Sequence, residues 1–95
     1  MWSEWTLITP ELARDWLQHG PTHRTDPELV CDHVRRMRSG SWRDHWGLLW
    51  SDKSRLLDGR HRLEAVAEAG VSVWMMVTYG VDDDLVLDEG CRLRR

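Results

Sequence analysis

The sequence contains no phenylalanine, one tyrosine and one lysine, and only two of its 95 residues are cysteine. Seven tryptophans take the place of the missing aromatic residues, where average usage would give about one. With 41% apolar and 31% charged residues, the composition excludes a disordered chain and is typical of a globular one. The length predicts a single domain over 1–95, with its core at about 5–88 and a frayed tail at 89–95.

Long apolar runs and targeting signals are absent as well. The longest apolar-rich stretch, 71–79, has about half of the roughly 20 residues that a membrane-spanning helix needs. The first residues lack a basic region followed by an apolar stretch, so no secretory signal is predicted. Cys31 and Cys91 match no metal-ligand spacing, and a single disulfide between them is the alternative to two free thiols. We expect a cytoplasmic protein with reduced thiols, without a metal site of its own and without membrane contact.

Basic residues are outnumbered by acidic ones, 13 against 16, which gives a net charge of −3. The chain therefore lacks the strongly basic composition that is typical of proteins binding nucleic acid non-specifically. Every basic residue except Lys53 is an arginine, whose planar guanidinium recognises phosphate and carboxylate groups better than an ammonium does. The arginine excess fits either a phosphate-binding protein or simply the codon usage of a GC-rich genome.

Capping residues and the spacing of apolar side chains predict the element order β-α-α-β-β-α-β. Thr9-Pro10 and Asp26-Pro27 both have the sequence of a helix start, and Gly70 has that of a helix end. The predicted elements are strand 5–8, a helix between Thr9 and Gly20, helix 27–38, strands 46–50 and 55–58, helix 60–69 and strand 71–79. They predict an α/β fold of the α+β type, a small mixed sheet packed with three helices, with the apolar strand 71–79 at its centre.

The tryptophans divide into two predicted groups. Trp16, Trp50 and Trp74 are expected in the core, because tryptophan buries much area per residue in a small domain. The four-residue spacing of Trp42, Trp46 and Trp50 fits one face of a helix or of a strand, and the glycines around them favour the strand. Trp42 and Trp46 lie beside charged residues, so they are expected to be partly exposed. Packing is favoured for these two over stacking on a ligand.

The chemistry of the sequence is concentrated in 55–66, which has the pattern of a strand, a glycine turn and a helix. A turn at Gly59 leaves backbone N–H groups at the positive end of the helix dipole, which is an anion site by geometry alone. Three cationic or polar residues in the first turn, Arg60, His61 and Arg62, oppose that dipole and cost stability, a departure that often marks a functional site. Asp58 could bind Mg²⁺ through water or pair with an arginine. A plain capped helix with solvated arginines is the alternative.

The segment Asp58-Gly59-Arg60-His61-Arg62-Leu63-Glu64-Ala65 resembles the signature of the ParB/sulfiredoxin superfamily, a glycine turn followed by a His-Arg or Arg-Arg pair and a small residue. Segments 8–13, 37–42 and 55–59 resemble a ParB-like, nuclease-type domain found in phage and actinobacterial proteins, so the resemblance covers about 7–90. It implies a ParB/sulfiredoxin-like fold with a pocket for the phosphates of ATP, ADP or CTP, with Mg²⁺ as a further cofactor.

The resemblance also implies roles for individual residues. Arg24 resembles an arginine that follows the first helix in these proteins, and Asp58 is similar to the acidic residue before the glycine in the serine kinases of the superfamily. The phosphate-binding residues that it implies are Arg24, Gly59, Arg60, His61 and Arg62. The candidate catalytic residues are Asp58, His61 and Glu64.

Departures from the superfamily narrow the expected function. Sulfiredoxin needs a cysteine where this chain has Arg60, so repair of sulfinic acid is not expected. ParB proteins continue into a DNA-reading domain and a dimerisation domain, so sequence-specific DNA binding is not expected either. The first hypothesis is a nucleotide-binding NTP hydrolase or phosphotransferase acting on a small molecule. The alternatives are a nucleic-acid-associated accessory protein or nuclease, and a non-catalytic module that binds another protein through exposed tryptophans.

Overall fold

The chain forms four strands and three helices over the residues that the computed structural model describes, which are 1–19, 25–42 and 47–82. In chain order they are β1 (Trp2–Ile8), α1 (Pro10–Trp16), α2 (Pro27–Ser39), β2 (Leu48–Ser51), β3 (Leu56–Asp58), α3 (Arg60–Ala69) and β4 (Val73–Val81). The predicted element order and the predicted fold class, a small mixed sheet packed with three helices, are confirmed. No helix in these ranges is long and apolar enough to cross a membrane.

Local capping determines where the helices begin and end. The Thr9 hydroxyl accepts a hydrogen bond from Leu12 N at 3.1 Å, and the Asp26 carboxylate accepts one from Glu28 N at 2.9 Å. Each bond satisfies an amide that the first helical turn leaves without a partner, and the proline that follows each cap has no amide to satisfy. Gly70 ends α3 in the left-handed conformation, as the sequence predicts.

The first helix, α1, ends at Trp16, earlier than the predicted stop at Gly20. The Leu17 amide still donates to the Ala13 carbonyl, but the amides of Gln18 and His19 donate to carbonyls three residues earlier, which tightens the last turn. The His19 carbonyl then accepts a hydrogen bond from Leu56 N at 2.8 Å. The chain therefore leaves the helix early because its backbone meets β3, a long-range contact that no local signal predicts.

The sheet has the strand order β1-β4-β2-β3. The apolar strand β4 lies at its centre, as predicted, where it pairs antiparallel with β1 and parallel with β2. β2 and β3 form an antiparallel hairpin. β1 begins three residues before its prediction, because the pairing with β4 continues from Ile8↔Val73 out to Trp2↔Tyr79.

The helices cover one face of this sheet. Side chains alternate along β4, so that Val73, Met75 and Val77 are buried while Trp74 between them is exposed. The helix α3 contacts both α1 and α2 and places Leu63 and Val66 in the core. The fully buried side chains of largest volume are Ile8, Leu48, Leu63, Met75, Val66 and Val77.

The prediction that Trp74 belongs to the core is wrong. Its side chain is 52% exposed and stacks on Trp5, with ring centroids 6.5 Å apart and planes within 8°. The two-residue period of a strand turns Trp74 away from the helices, and composition alone cannot reveal which face is covered. Trp50 is buried, and Trp16 is half-buried against the core, as predicted.

The predicted placement of Trp42 in a strand with Trp50 is wrong as well. Trp42 lies before β2, half-buried against the core, and its ring contacts His33 edge to face at 5.1 Å. Partial exposure and a packing role, both predicted for this residue, agree with that position. Trp46, the third residue of the predicted series, lies outside the described residues.

Candidate functional site

The candidate site is the start of α3, where β3 ends and Gly59 turns the chain into the helix. Gly59 is buried and has a φ of 109°, a conformation that residues with a side chain rarely adopt. A Cβ at this position would overlap the Leu48 side chain and lie 3.2 Å from Gly47 O. The close approach that the glycine permits is therefore to β2. The same observation places the start of α3 against the sheet.

No side chain caps the N-terminus of α3, and its first turn contains no acidic residue. The neighbouring carboxylate, Asp58 Oδ1, accepts a hydrogen bond from Gly59 N at 2.9 Å, one residue before the helix begins. The first turn thus lacks both the side-chain cap and the acidic residue that normally serve its amides, and the nearest carboxylate, that of Asp58, is bound to the Gly59 amide. This is the electrostatic feature that the sequence predicts.

Arg60 and Glu64 form an ion pair within α3, and each also contacts a residue outside the helix. Arg60 Nε lies 3.2 Å from Glu64 Oε2, and Arg60 Nη1 donates to the Leu17 carbonyl at 3.3 Å. The Nε–H itself is not aligned for a hydrogen bond. Glu64 Oε1 accepts a hydrogen bond from the Thr25 hydroxyl at 2.7 Å. Both oxygens of the proposed base Glu64 therefore have partners that hold the fold together.

His61 joins α3 to the start of α2. Its Nε2 accepts a hydrogen bond from the backbone amide of Asp26 at 3.0 Å, and Asp26 is the residue that caps α2. An Nε2 that accepts carries no proton, so the ring proton of this contact is on Nδ1. The sequence predicts His61 as a ligand residue, and the structure gives it a positioning contact between two helix starts.

Arg62 is half-buried and donates from Nη1 to the Gly47 carbonyl at 3.0 Å. Gly47 precedes β2 and has a φ of 65°, and a Cβ there would overlap the backbone carbonyl of Met76. Arg62 thereby ties the first turn of α3 to the point where β2 enters the sheet. Its guanidinium lies near the helix start, where the sequence places it.

The structure brings together the predicted site residues from Asp58 to Glu64 at the start of α3, while Arg24 lies outside the described residues. Thr25, the residue after it, reaches α3 through its bond to Glu64. Within 1–19, 25–42 and 47–82, no three His, Cys, Asp or Glu side chains group closely enough to hold a metal ion.

Two groups with shifted pKa values lie on other elements. A hydrogen bond from Arg35 at 3.0 Å lowers the pKa of the Asp32 carboxyl on α2. Burial raises the pKa of the Tyr79 phenol on β4, and the nearby carboxylate of Glu4 raises it further. Asp32 and Arg35 form an exposed ion pair on α2. Tyr79 lines a cavity at the end of the sheet.

That cavity is the feature which sequence reasoning misses. It measures about 260 Å³ and is lined by Trp16, His19, Trp50, Ser51, Ser54 and Tyr79. Its residues come from the end of α1 and the residues just after it, from β2 and the turn that follows it, and from the last part of β4. The surplus of tryptophan was its one signal in the sequence, but nothing local shows that three separate segments meet there.

Comparison with known proteins gives no match to this chain among protein-family models, curated proteins or solved structures. The resemblance to the ParB/sulfiredoxin superfamily therefore stays a prediction that depends on the motif from Asp58 to Ala65 and on the order of the segments around it.

Proposed function

We propose that this chain is a ParB/sulfiredoxin-like domain that binds the phosphate groups of a nucleotide at the start of α3. The observation that supports the proposal is a helix start without a side-chain cap or an acidic residue, in which Arg60, His61 and Arg62 occupy the first turn. Such a start attracts an anion through its backbone amides and its dipole. A phosphate would also offset the cost of placing cationic groups at that end.

The side chains of the first turn then have a positioning role. Arg60 is paired with Glu64, and His61 contacts the Asp26 amide, so both hold the helix start in place. The backbone amides supply most of the direct contacts to phosphate. Arg62, anchored through one nitrogen to Gly47, adds positive charge beside them.

If the domain turns its nucleotide over, Asp58 is the better candidate for the base that accepts a proton from water or from an acceptor hydroxyl. Its carboxylate lies directly at the helix start, whereas Glu64 is engaged by Arg60 and Thr25. Mg²⁺ typically binds one or two carboxylates together with substrate phosphates, and Asp58 could supply one such oxygen. The metal would offset the charge of the phosphates.

Calorimetric titration with ATP, ADP and CTP, each with and without Mg²⁺, tests the binding proposal. His61→Asp places a carboxylate in the first turn, where it repels phosphate and interacts favourably with the dipole. We expect this variant to lose nucleotide binding while remaining folded. Ser72→Asp adds the same charge beyond the other end of α3 and should bind like the parent. If the parent chain binds none of these nucleotides, the proposal is wrong.

Turnover is a separate part of the proposal and has its own measurement. Release of inorganic phosphate from ATP or CTP with Mg²⁺ should be lost in Asp58→Asn, while nucleotide binding is kept. A parent chain that binds nucleotide without any release would reject the hydrolase and phosphotransferase hypotheses and leave a binding domain.

The exposed tryptophans favour a second candidate function, a protein-binding module whose partner is a second copy of the chain. Trp5 and Trp74 are both 52% exposed and stack on each other on the sheet face that the helices do not cover. Contiguous exposed apolar area of this kind marks binding surfaces. Self-association that depends on Trp74 is the measurement that tests this candidate.

A further inference from the structure

The cavity at the end of the sheet has the composition of a binding site and is separate from the start of α3. None of its lining residues belongs to the segment from Asp58 to Glu64. Trp16, Trp50 and Tyr79 all line it, and Trp2 stacks on Tyr79 with ring centroids 4.4 Å apart. Four aromatic residues of a chain with eight therefore surround or support one small space.

The angles between the rings indicate the shape of the ligand. The planes of Trp16 and Trp50 meet at 85° with centroids 5.2 Å apart, and His19 meets Trp50 at 63°. A flat base stacks best between parallel ring faces, which these rings do not offer. Walls at right angles instead form a corner, in which a compact, roughly spherical group contacts several rings at once.

The charges around the cavity indicate the sign of the ligand. Among the residues that the structure describes, no aspartate, glutamate, lysine or arginine lines the cavity. The Glu4 carboxylate contributes to the raised pKa of Tyr79, after burial, so one negative charge lies near the Tyr79 side of the cavity. A nearby carboxylate and the electron-rich faces of indole rings both favour a cation.

Hydrogen-bonding capacity distinguishes an alkylated cation from a primary ammonium. The Ser51 hydroxyl oxygen already accepts hydrogen bonds from Lys53 N and Arg55 N, both at 3.0 Å. A primary ammonium entering the cavity would lose its hydration and would need acceptors for three N–H groups, and Ser51, one of the three hydroxyl-bearing residues named above, is already engaged. A quaternary ammonium has no N–H to satisfy, so it loses less on entry.

We propose that this cavity binds a methylated ammonium group through cation–π contacts with Trp16, Trp50 and Tyr79. Both choline and the side chain of trimethyllysine carry this group. The site is independent of nucleotide binding at α3, and each proposal can fail without the other.

The decisive comparison uses two ligands of the same shape. Choline and its neutral isostere, in which carbon replaces the quaternary nitrogen, are titrated into the parent chain while the indole N–H signals are followed by NMR. We expect the isostere to bind roughly tenfold more weakly or worse, because it lacks the cation–π contribution. Equal binding of the two would overturn the proposal, and so would failure of both choline and tetramethylammonium to bind.

Variants locate the site. Trp16→Leu and Tyr79→Leu keep apolar bulk but remove an aromatic face, so each should weaken choline binding severalfold. Trp74→Leu is the matched control, because Trp74 lies on the opposite face of the sheet. Equal weakening in the control would overturn the assignment to this cavity. The ligand comparison in the parent chain remains decisive if a variant fails to fold.

Two further titrations identify the source of the group and exclude a base. A short peptide containing trimethyllysine is compared with choline at the same concentration, and tighter binding of one shows which source the rest of the site accepts. Adenosine is then added to the choline complex. We expect no displacement of choline. Displacement by adenosine would mean that the cavity accepts flat rings and would overturn the proposal.

Discussion

Gly59 and Gly70 lie at the two ends of α3, both in the left-handed conformation, but their surroundings differ. At Gly70, with a φ of 72°, a Cβ would have no atom within 4 Å. At Gly59, with a φ of 109°, a Cβ would overlap Leu48. At position 70 only the backbone conformation favours glycine, whereas at position 59 the packing against Leu48 excludes a side chain as well.

This difference predicts different costs for the same substitution. Gly70→Ala should lower the free energy of unfolding by about 1 kcal/mol, the cost of a side chain in the left-handed region. Gly59→Ala adds the overlap with Leu48 and should lower it by roughly 2–4 kcal/mol. Urea denaturation of the two variants measures both values. Equal losses would mean that Leu48 moves aside without cost.

Tyr79 offers a second prediction at this scale, because it is the only tyrosine of the chain and its absorbance reports one group. Burial and Glu4 raise its pKa above the usual 10.0, so the spectroscopic midpoint should lie above that value. Glu4→Gln should move the midpoint part of the way back, since burial, the larger cause, remains. Glu11→Gln, on the exposed side of α1, should leave it unchanged.

The same shift has a consequence for stability. Because its pKa is raised, Tyr79 holds its proton more tightly in the folded state than in the unfolded chain. The stabilisation that results is complete below pH 10.0, and it is lost as the pH rises through the folded-state pKa. Tyr79→Phe should remove this alkaline loss in urea denaturation at rising pH. A parent midpoint at or below 10.0 would contradict both expectations.

At the scale of elements, helix boundaries follow from short-range chemistry and are largely predictable. Thr9, Asp26 and Gly70 act through hydrogen bonds or dihedral angles within a few residues, so their sequence context identifies them. The end of α1 is the exception. It is determined by a hydrogen bond between His19 and Leu56, which are distant in the sequence, and no local pattern encodes such a contact.

The sheet is only partly predictable for the same reason. Alternation along 71–79 identifies β4, but it does not tell which set of side chains the helices cover. The size of Trp74 predicts a position in the core, yet the register places it beside Leu7 on the open face. Face assignment needs the position of a second layer, which is tertiary information.

In the candidate site, too, the local structure is predictable from the sequence and the long-range contacts are not. The sequence predicts the strand, turn and helix from Asp58 to Glu64, and the structure contains them at those positions. It does not predict that His61 would contact Asp26, or that Arg62 would contact Gly47, because those partners come from distant segments. The motif thus identifies where the chemistry lies, while the roles of its side chains depend on packing.

For the whole molecule, the main consequence of the fold is a sheet with one covered and one open face. Ser3, Trp5 and Leu7 on β1 pair across from Thr78, Met76 and Trp74 on β4, and all six are uncharged. The chain has a net charge of −3, so two copies repel each other overall. The uncharged strip is where two copies could approach without like charges meeting, which is the basis for choosing a second copy as the partner.

The area of this strip sets the expected strength of self-association. A tryptophan left about half exposed offers roughly 75–125 Å² for burial, so Trp5 and Trp74 from two copies offer roughly 300–500 Å². At about 25 cal/mol per Å² the gain is roughly 8–12 kcal/mol, which is comparable to the 4–15 kcal/mol that association costs by order of magnitude. We therefore expect a weak dimer whose population rises with concentration.

Sedimentation equilibrium over a range of concentrations measures this dimer, and two charge-matched variants locate it. Trp74→Arg places a cation in the centre of the strip, where packing against a second copy would bury it without a partner, so the variant should be monomeric throughout. Leu29→Arg adds the same charge at an exposed apolar residue of α2, away from the sheet, and should associate like the parent. A parent chain that is monomeric at every concentration, or a dimer that survives Trp74→Arg, would reject the open face as the interface. Because nucleotide binding uses the start of α3, a monomer that binds nucleotide would leave the phosphate-binding proposal intact.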